Sequence, residues 1–203
     1  MPSNPERERL KKLYLPPEGE FTFVDVPEMP FAMIDGTGDP FGGDYKRAVR
    51  WLFTAILPMK RLARERMGKN FVAPPLECLY GAECLDDLIA GRREKLRWRV
   101  MVAAADWPDA ADVLDEGARE AQSRLGEIPE TLRLERFTEG RCVQILHVGD
   151  YRKAARALAD RLHQEFLPAN DLTAHGLHHE IYLSDPTRVA LPKQKTVMRQ
   201  PVK

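Results

Sequence analysis

Cysteine is scarce in this chain: 203 residues hold only Cys78, Cys84 and Cys142. Their odd number and irregular spacing fit no zinc finger, ribbon or disulfide framework, so they read as reduced, mostly buried thiols. Long apolar runs are missing too. No stretch approaches the ~18 residues a membrane-spanning helix needs, so no membrane partner is expected. The start, MPSNPERERLKKLY, lacks the apolar centre of a signal peptide, which makes the cytoplasm the expected compartment. Net charge is absent as well, with 31 basic residues against 31 acidic ones. Direct nucleic-acid binding is therefore not expected, because a general binder grips phosphates through excess positive charge.

The neutral total is made of unequal parts. Residues 44–69 carry eight basic and two acidic side chains, and residues 106–130 carry two basic and eight acidic. Such blocks form either an electrostatic surface for a protein partner or solvated helix faces that offset one another.

Residues 1–20 are charged, then broken by Pro16-Pro17 and Gly19, and are expected as an extension packed loosely on the main body. Strands are predicted at 21–26 and 31–35, with a turn from Pro27 to Pro30. A glycine-rich loop, 36–43, leads to Asp44 as helix cap, with Tyr45, Ala48, Val49, Leu52, Ile56 and Met59 on one face. Pro58 should kink or end that helix. Strands follow at 76–80 and 96–103, separated by a charged connection from Asp86 to Lys95. A helix at 109–125 is weakened by Gly117. The order then recurs: strands at 131–137 and 141–148, a helix from Tyr151 ending near Pro168, a strand at 177–183 and a last edge strand at 195–201.

Each half thus reads strand, strand, helix, strand, strand. The expected fold class is α+β: a duplicated module with pseudo-twofold symmetry and a ligand cleft between the halves. The first module spans about 21–104, a connector about 105–129 and the second module about 130–203. Laying Glu77-Cys78-Leu79-Tyr80 over Glu180-Ile181-Tyr182-Leu183 puts a glutamate at the same place in both copies. Strand alternation sends His178, Glu180 and Tyr182 to one face and Leu177, His179, Ile181 and Leu183 to the other. The apolar set is expected to meet the helix that starts at Tyr151, leaving the polar set to face the cleft. Two carboxylates converging there would disfavour each other's ionisation; together they could position water and polarise a carbonyl. With aromatic walls the pair would instead attract an organic cation. The plainer alternative makes each glutamate a surface strand residue.

Other motifs carry less. His175, His178, His179 and Glu180 resemble a metal cluster, but His178 and His179 point to opposite faces of a strand, so no metal site is expected. Gly36-Thr37-Gly38 is not a dinucleotide fingerprint, because the third glycine is misplaced and Pro40 interrupts. No cofactor is expected. No local signature pairs a cysteine nucleophile with a histidine base. Trp98 and Trp107 read as core, Trp107 equally as a cleft mouth before Pro108.

The segments His147-Val148-Gly149-Asp150-Tyr151 and His179-Glu180-Ile181-Tyr182-Leu183-Ser184-Asp185-Pro186 resemble the GyrI-like small-molecule-binding domain. Lys11-Lys12-Leu13-Tyr14, Val26-Pro27-Glu28-Met29-Pro30, Met33 to Pro40 and Pro75-Leu76-Glu77 are similar to its stand-alone members. The resemblance implies a cleft between duplicated halves that takes a small hydrophobic or cationic ligand. Glu180, Tyr182 and Tyr151 match the family's carboxylate and tyrosines, and Trp98, Tyr80 and Trp107 complete the implied ligand-binding set. Some stand-alone members hydrolyse cyclopropane-bearing cyclohexadienones. Carried over, this makes Glu77, Glu180 and Tyr182 the catalytic set: one glutamate activates water while the other acid, or Tyr182, holds the carbonyl. The chain departs from its relatives after Glu77, where a glycine, a leucine and a tryptophan pair are replaced by Cys78-Leu79-Tyr80-Gly81, and again at Ala103 to Pro108. Three function classes follow: hydrolytic detoxification, non-catalytic binding or sequestration, and docking on a protein partner like the gyrase-inhibiting relatives. Direct control of transcription is not expected.

Overall fold

A computed structural model describes residues 5–40, 42–67, 74–82 and 92–203. Cys84, Phe41 and positions 86–91 of the expected charged connection lie outside the described residues. Along the chain run α1 (Pro5–Tyr14), β1 (Thr22–Val26), β2 (Met29–Thr37), α2 (Gly43–Ala55), α3 (Leu57–Met67), β3 (Leu76–Ala82), β4 (Leu96–Ala103) and α4 (Ala110–Leu125). Then come β5 (Arg133–Phe137), β6 (Gly140–Val148), α5 (Tyr151–Asp160), β7 (His178–Tyr182) and β8 (Lys195–Pro201). The fold is α+β, as expected. Pro58 sits in the first turn of α3, where its missing N–H is harmless, so one predicted helix becomes two.

Two compact units emerge, Met1–Pro27 with Thr138–Lys203, and Glu28–Phe137. They are not the contiguous halves, because the first strand of each half pairs with the other half's strands. β1 lies antiparallel to β6, and β5 to β2. The first unit has the strand order β1-β6-β8-β7 and the second β5-β2-β4-β3, all antiparallel. The duplication is therefore visible as one topology repeated. β8, read from sequence as an edge strand, is internal between β6 and β7. Its residues Thr196–Pro201 are all buried, which explains the apolar Val197 and Met198 on opposite faces.

In the first unit α5 and the π-helical stretch after it lay Tyr151, Leu158 and Leu162, part of the predicted apolar face, on Val143, Ile145 and Met198. Each such aliphatic burial contributes about 1.5–3 kcal/mol. The helix runs on through a π-helical stretch, Arg161–Phe166, and ends at Leu167–Ala169. The other face of this sheet holds Leu146, Ile181 and Val197 with Tyr14 of α1 packed beside them. The end of α1 is thus held against this sheet. Leu13 is buried, Gln144 Nε2 donates to the Lys12 carbonyl at 2.8 Å, and Arg199 Nη2 donates to the Leu13 carbonyl.

In the second unit α2 packs on β2 and β4, with α4 laid across α2. Gly117 belongs in α4 for a packing reason: a Cβ there would sit 1.9 Å from the Ala55 carbonyl oxygen. The close helix crossing outweighs the lower helix propensity of glycine. Here the basic and acidic blocks meet, since Arg61 lies 3.6 Å from Glu116 and 3.3 Å from Glu120. At these contacts the blocks are offsetting helix faces.

Candidate ligand-binding site

Register decides which side chains share a face with each helix. Ile145, Met198 and Glu180 stand in one row across β6, β8 and β7, and His147, Thr196 and Tyr182 in the next. Directly opposed residues point to the same side of a sheet, so Glu180 and Tyr182 lie on the face that α5 covers. This reverses the expectation that Ile181 and Leu183 would meet the helix. Those two pack instead with Leu146 and Val197 on the α1 side. The apolar pattern of β7 is real, but α1 claims it.

On the α5 face, Tyr182 Oη donates to Glu180 Oε2 at 2.5 Å, an i,i+2 contact along one side of the strand. His178 Nε2 stands 3.4 Å from Glu180 Oε1, and both side chains keep 16% of their surface exposed. From above comes Tyr151, the first residue of α5, whose buried hydroxyl makes no hydrogen bond of normal geometry. Burial, then the charge and nearness of Glu180, push its pKa well above the ordinary tyrosine value. It stays a neutral donor. The His147 ring lies 6.1 Å from that of Tyr151. His163, on the π-helical stretch, has its pKa lowered by burial and by neighbouring His178, against an opposing pull from Asp160. Asp150 adds a carboxylate oxygen that is buried without a hydrogen bond.

Behind this set, on the opposite face, β7 is held by a buried ionic network. Glu139 Oε1 is 3.0 Å from His179 Nδ1, and Arg199 Nη1 donates to Glu139 Oε2 at 3.0 Å. Arg199 Nε donates to Gln144 Oε1 at 3.1 Å. Burial alone would raise the Glu139 pKa, but His179 and Arg199 overcome it and bring it to about 2. Sequence reading grouped His179 with Ile181, as the strand does, but expected that side to meet α5, and it missed His179's partners because Glu139 lies 40 residues away.

The second unit arranges its residues differently. Glu77 is fully buried and opposes Met101, which opposes Met33; both methionines join Phe31 and Leu79 in one cluster. Trp98, three residues along β4 and on the other face, opposes Tyr80 and Gly36, and contacts Tyr45 of α2 edge-on with centroids 5.2 Å apart. Tyr80 and Trp98 therefore face α2 and Glu77 faces away. The duplication does not place Glu77 and Glu180 equivalently. A match that preserves the helix-facing side is one residue along, with Cys78 and Tyr80 answering to Glu180 and Tyr182. Trp107 lies half-buried in the turn before α4, where its carbonyl accepts the Ala110 N–H. A cavity of about 410 Å³ lies between the end of β2, the start of α2 and residues 127–131, and its lining includes Trp51 and Trp98.

Tyr45 was missed as the structural counterpart of Tyr151, although a signal existed: Gly43-Asp44-Tyr45 and Gly149-Asp150-Tyr151 stand at the start of the two equivalent helices as the same triplet. The Cys78 and Cys142 side chains are buried; burial first, and then Glu139, push the Cys142 thiol up to about 12. Among the described residues no group of three His, Cys, Asp or Glu side chains could hold a metal ion, and no helix is long and apolar enough to cross a membrane.

Comparison with known proteins agrees with this architecture. The description "GyrI-like small molecule binding domain" matches residues 19–203. Among curated protein sequences there is no match. A conserved protein of unknown role from Listeria innocua is 32% identical, with 97% of this chain and 98% of that one covered and a TM-score of 0.82. A protein described as a hydrolase from Listeria innocua is 30% identical over 97% of this chain and 98% of its own, with a TM-score of 0.77. The C-terminal domain of EcmrR shares the fold at 12% identity, with 91% and 97% of the two chains covered and a TM-score of 0.56. The residues matched are nearly all of the chain: it belongs to the family of GyrI-like small-molecule-binding domains.

Proposed function

We propose that the Glu180 site binds a hydrophobic organic cation. The observation that carries this reading is a half-buried carboxylate flanked by two tyrosines on a helix-covered sheet face, with Tyr182 donating to it at 2.5 Å. A carboxylate in such surroundings offers a counter-charge that water screens poorly. Tyrosine rings add attraction through their electron-rich faces, worth about 0.5–2 kcal/mol each. The hydroxyl of Tyr151 remains as a donor for a ligand acceptor. Calorimetric titration with tetraphenylphosphonium at pH 8 tests the reading. Glu180→Gln should weaken binding by about tenfold to a hundredfold, as for loss of a partly buried charge pair, and Tyr182→Phe by a few-fold. Unchanged affinity in Glu180→Gln would sink the proposal.

A second reading is hydrolysis, favoured by the 30% identity to a protein described as a hydrolase. With a cyclopropane-bearing cyclohexadienone, Glu180 would take a proton from water as its oxygen attacks the ring carbon. The strained C–C bond breaks, its electrons pass into the dienone, and the ring becomes a phenolate accepting hydrogen bonds from Tyr182 or Tyr151. Glu77 is the second candidate acid. Turnover of such a probe should vanish in Glu180→Gln and in Glu77→Gln with the fold intact. Wild-type rates in both variants would remove these roles.

A further inference from the structure

The Glu180 carboxylate already has a basic neighbour on its own strand. His178 Nε2 lies 3.4 Å from Glu180 Oε1, the oxygen that Tyr182 does not take. The two side chains are two residues apart on the same face, so backbone geometry keeps them adjacent. Imidazole is the side chain whose charge changes between about pH 5 and 8. An imidazolium here would be an internal cation at the place where a ligand cation is expected.

We propose that His178 is a specificity-determining residue that competes with cationic ligands for Glu180. Resting on the cation-binding reading above, this adds how the site chooses among ligands. With His178 protonated, the carboxylate's charge is matched from within, and neutral acceptors are favoured through Tyr151. With His178 neutral, the carboxylate is released to an outside cation. The surrounding groups support a single positive charge at this place. His163 faces His178 from the π-helical stretch, and burial and then His178 lower the His163 pKa, against an opposing pull from Asp160. From α5 comes the Tyr151 hydroxyl, from β7 Tyr182, and His147 lies beside the Tyr151 ring.

The test compares tetraphenylphosphonium, whose charge does not titrate, with neutral triphenylphosphine oxide, both titrated into the full chain at pH 5.5 and 8.5. Wild type should bind the cation about tenfold tighter at the higher pH, the size expected for like charges about 6 Å apart at a partly buried site. The neutral probe should change by less than about twofold. His178→Gln should lose the pH dependence and bind the cation at pH 5.5 as wild type does at pH 8.5, whereas His175→Gln, an exposed loop position, should retain it. Reciprocity provides a second measurement that needs no variant: saturating tetraphenylphosphonium should move the NMR titration midpoint of His178 down by about one pH unit. Cation binding with a pH dependence that survives His178→Gln, or with an unmoved His178 midpoint, overturns the competition while leaving the site. If neither probe binds wild type at either pH, the site reading fails and the competition falls with it.

Discussion

The two units use one topology for opposite ends. In each, a Gly-Asp-Tyr triplet opens the helix that covers the sheet, at Tyr45 and at Tyr151. In each, a tyrosine on the strand at the end of the four-strand order faces that helix, Tyr80 and Tyr182. The difference lies in the residue opposite: Trp98 opposes Tyr80, whereas Thr196 opposes Tyr182. The indole fills the space over Gly36 and against Tyr45, so aromatic packing occupies this place in the second unit, beside the cavity at the end of β2. The smaller threonine is accompanied by Glu180, His178 and a tyrosine hydroxyl without a well-formed hydrogen bond. A duplicated scaffold can thus keep its fold while one copy holds polar groups that packing alone does not require.

The same contrast holds on the sheet faces turned away from α2 and α5, and it sets the largest expected effect. The first unit buries Glu139, His179 and Arg199 almost completely, with Arg199 2% exposed. The second unit places Asp35, Arg99, Arg133 and Glu135 in a network whose side chains keep 26–39% of their surface. Removing one member of a buried network strands the others, so Arg199→Met should cost about 3–5 kcal/mol in chemical unfolding of the full chain. Arg99→Met should cost about 1 kcal/mol or less despite its 2.6 Å contact with Asp35. The acid limb sharpens this. Glu139 has a folded pKa of about 2, below its ordinary value, so its contribution is present above about pH 4.5 and lost as pH falls toward 2. It amounts to about 3 kcal/mol. Glu139→Gln should flatten the stability profile in that window; an unchanged acid limb would show that the network is not ionised as described.

How much of this was legible in the sequence follows from the range of the forces involved. Helix faces, the strands at 96–103 and 195–201, and the repeated order came from periodicity, which is local. The pairing of β1 with β6 and of β5 with β2 did not, since nothing in either segment names its partner. The face of Glu180 was misread for a related reason. Ile181 and Leu183 do make an apolar face, but two helices, α1 and α5, compete for the two sides of the sheet. The equivalence of Glu77 and Glu180 failed by one residue, and in a strand one residue is the whole difference between faces. That Glu180, Tyr182 and Tyr151 lie together was legible because a family motif groups them. Glu139 and Arg199 carry no motif and act through a fold that brings distant segments together.

A middle-sized effect tests whether the second unit is filled by its indole. A Cβ on Gly36 would lie 2.1 Å from Trp98 Cη2. Gly36→Ala should cost about 1–3 kcal/mol through overpacking. Trp98→Thr, which gives the second unit the residue found in the first, should cost about 3–5 kcal/mol on its own by opening a cavity. In that background Gly36→Ala should cost almost nothing further. Additive losses would mean that the glycine serves the backbone and not the indole.

The smallest effect concerns the outer strands, where the units again differ in kind. On β1, Phe23 is 47% exposed, with the Arg141 guanidinium 5.0 Å above its ring and Phe166 6.0 Å away. On β5, Arg136 is held by Glu28 at 2.6 Å and Asp106 at 2.7 Å. Arg141→Gln should cost about 0.5–1 kcal/mol, the value of an exposed cation–ring contact. Salt separates the two edges. Ion pairs between exposed side chains are screened once the Debye length shrinks toward about 3 Å at 1 M. The loss in Arg136→Gln should therefore fade at high salt. Much of the Arg141 contact is the stacking of a flat, weakly hydrated group on a ring, so its loss should persist. If both losses fade equally, the β1 edge is held by charge after all, and the two edges differ only in their side chains.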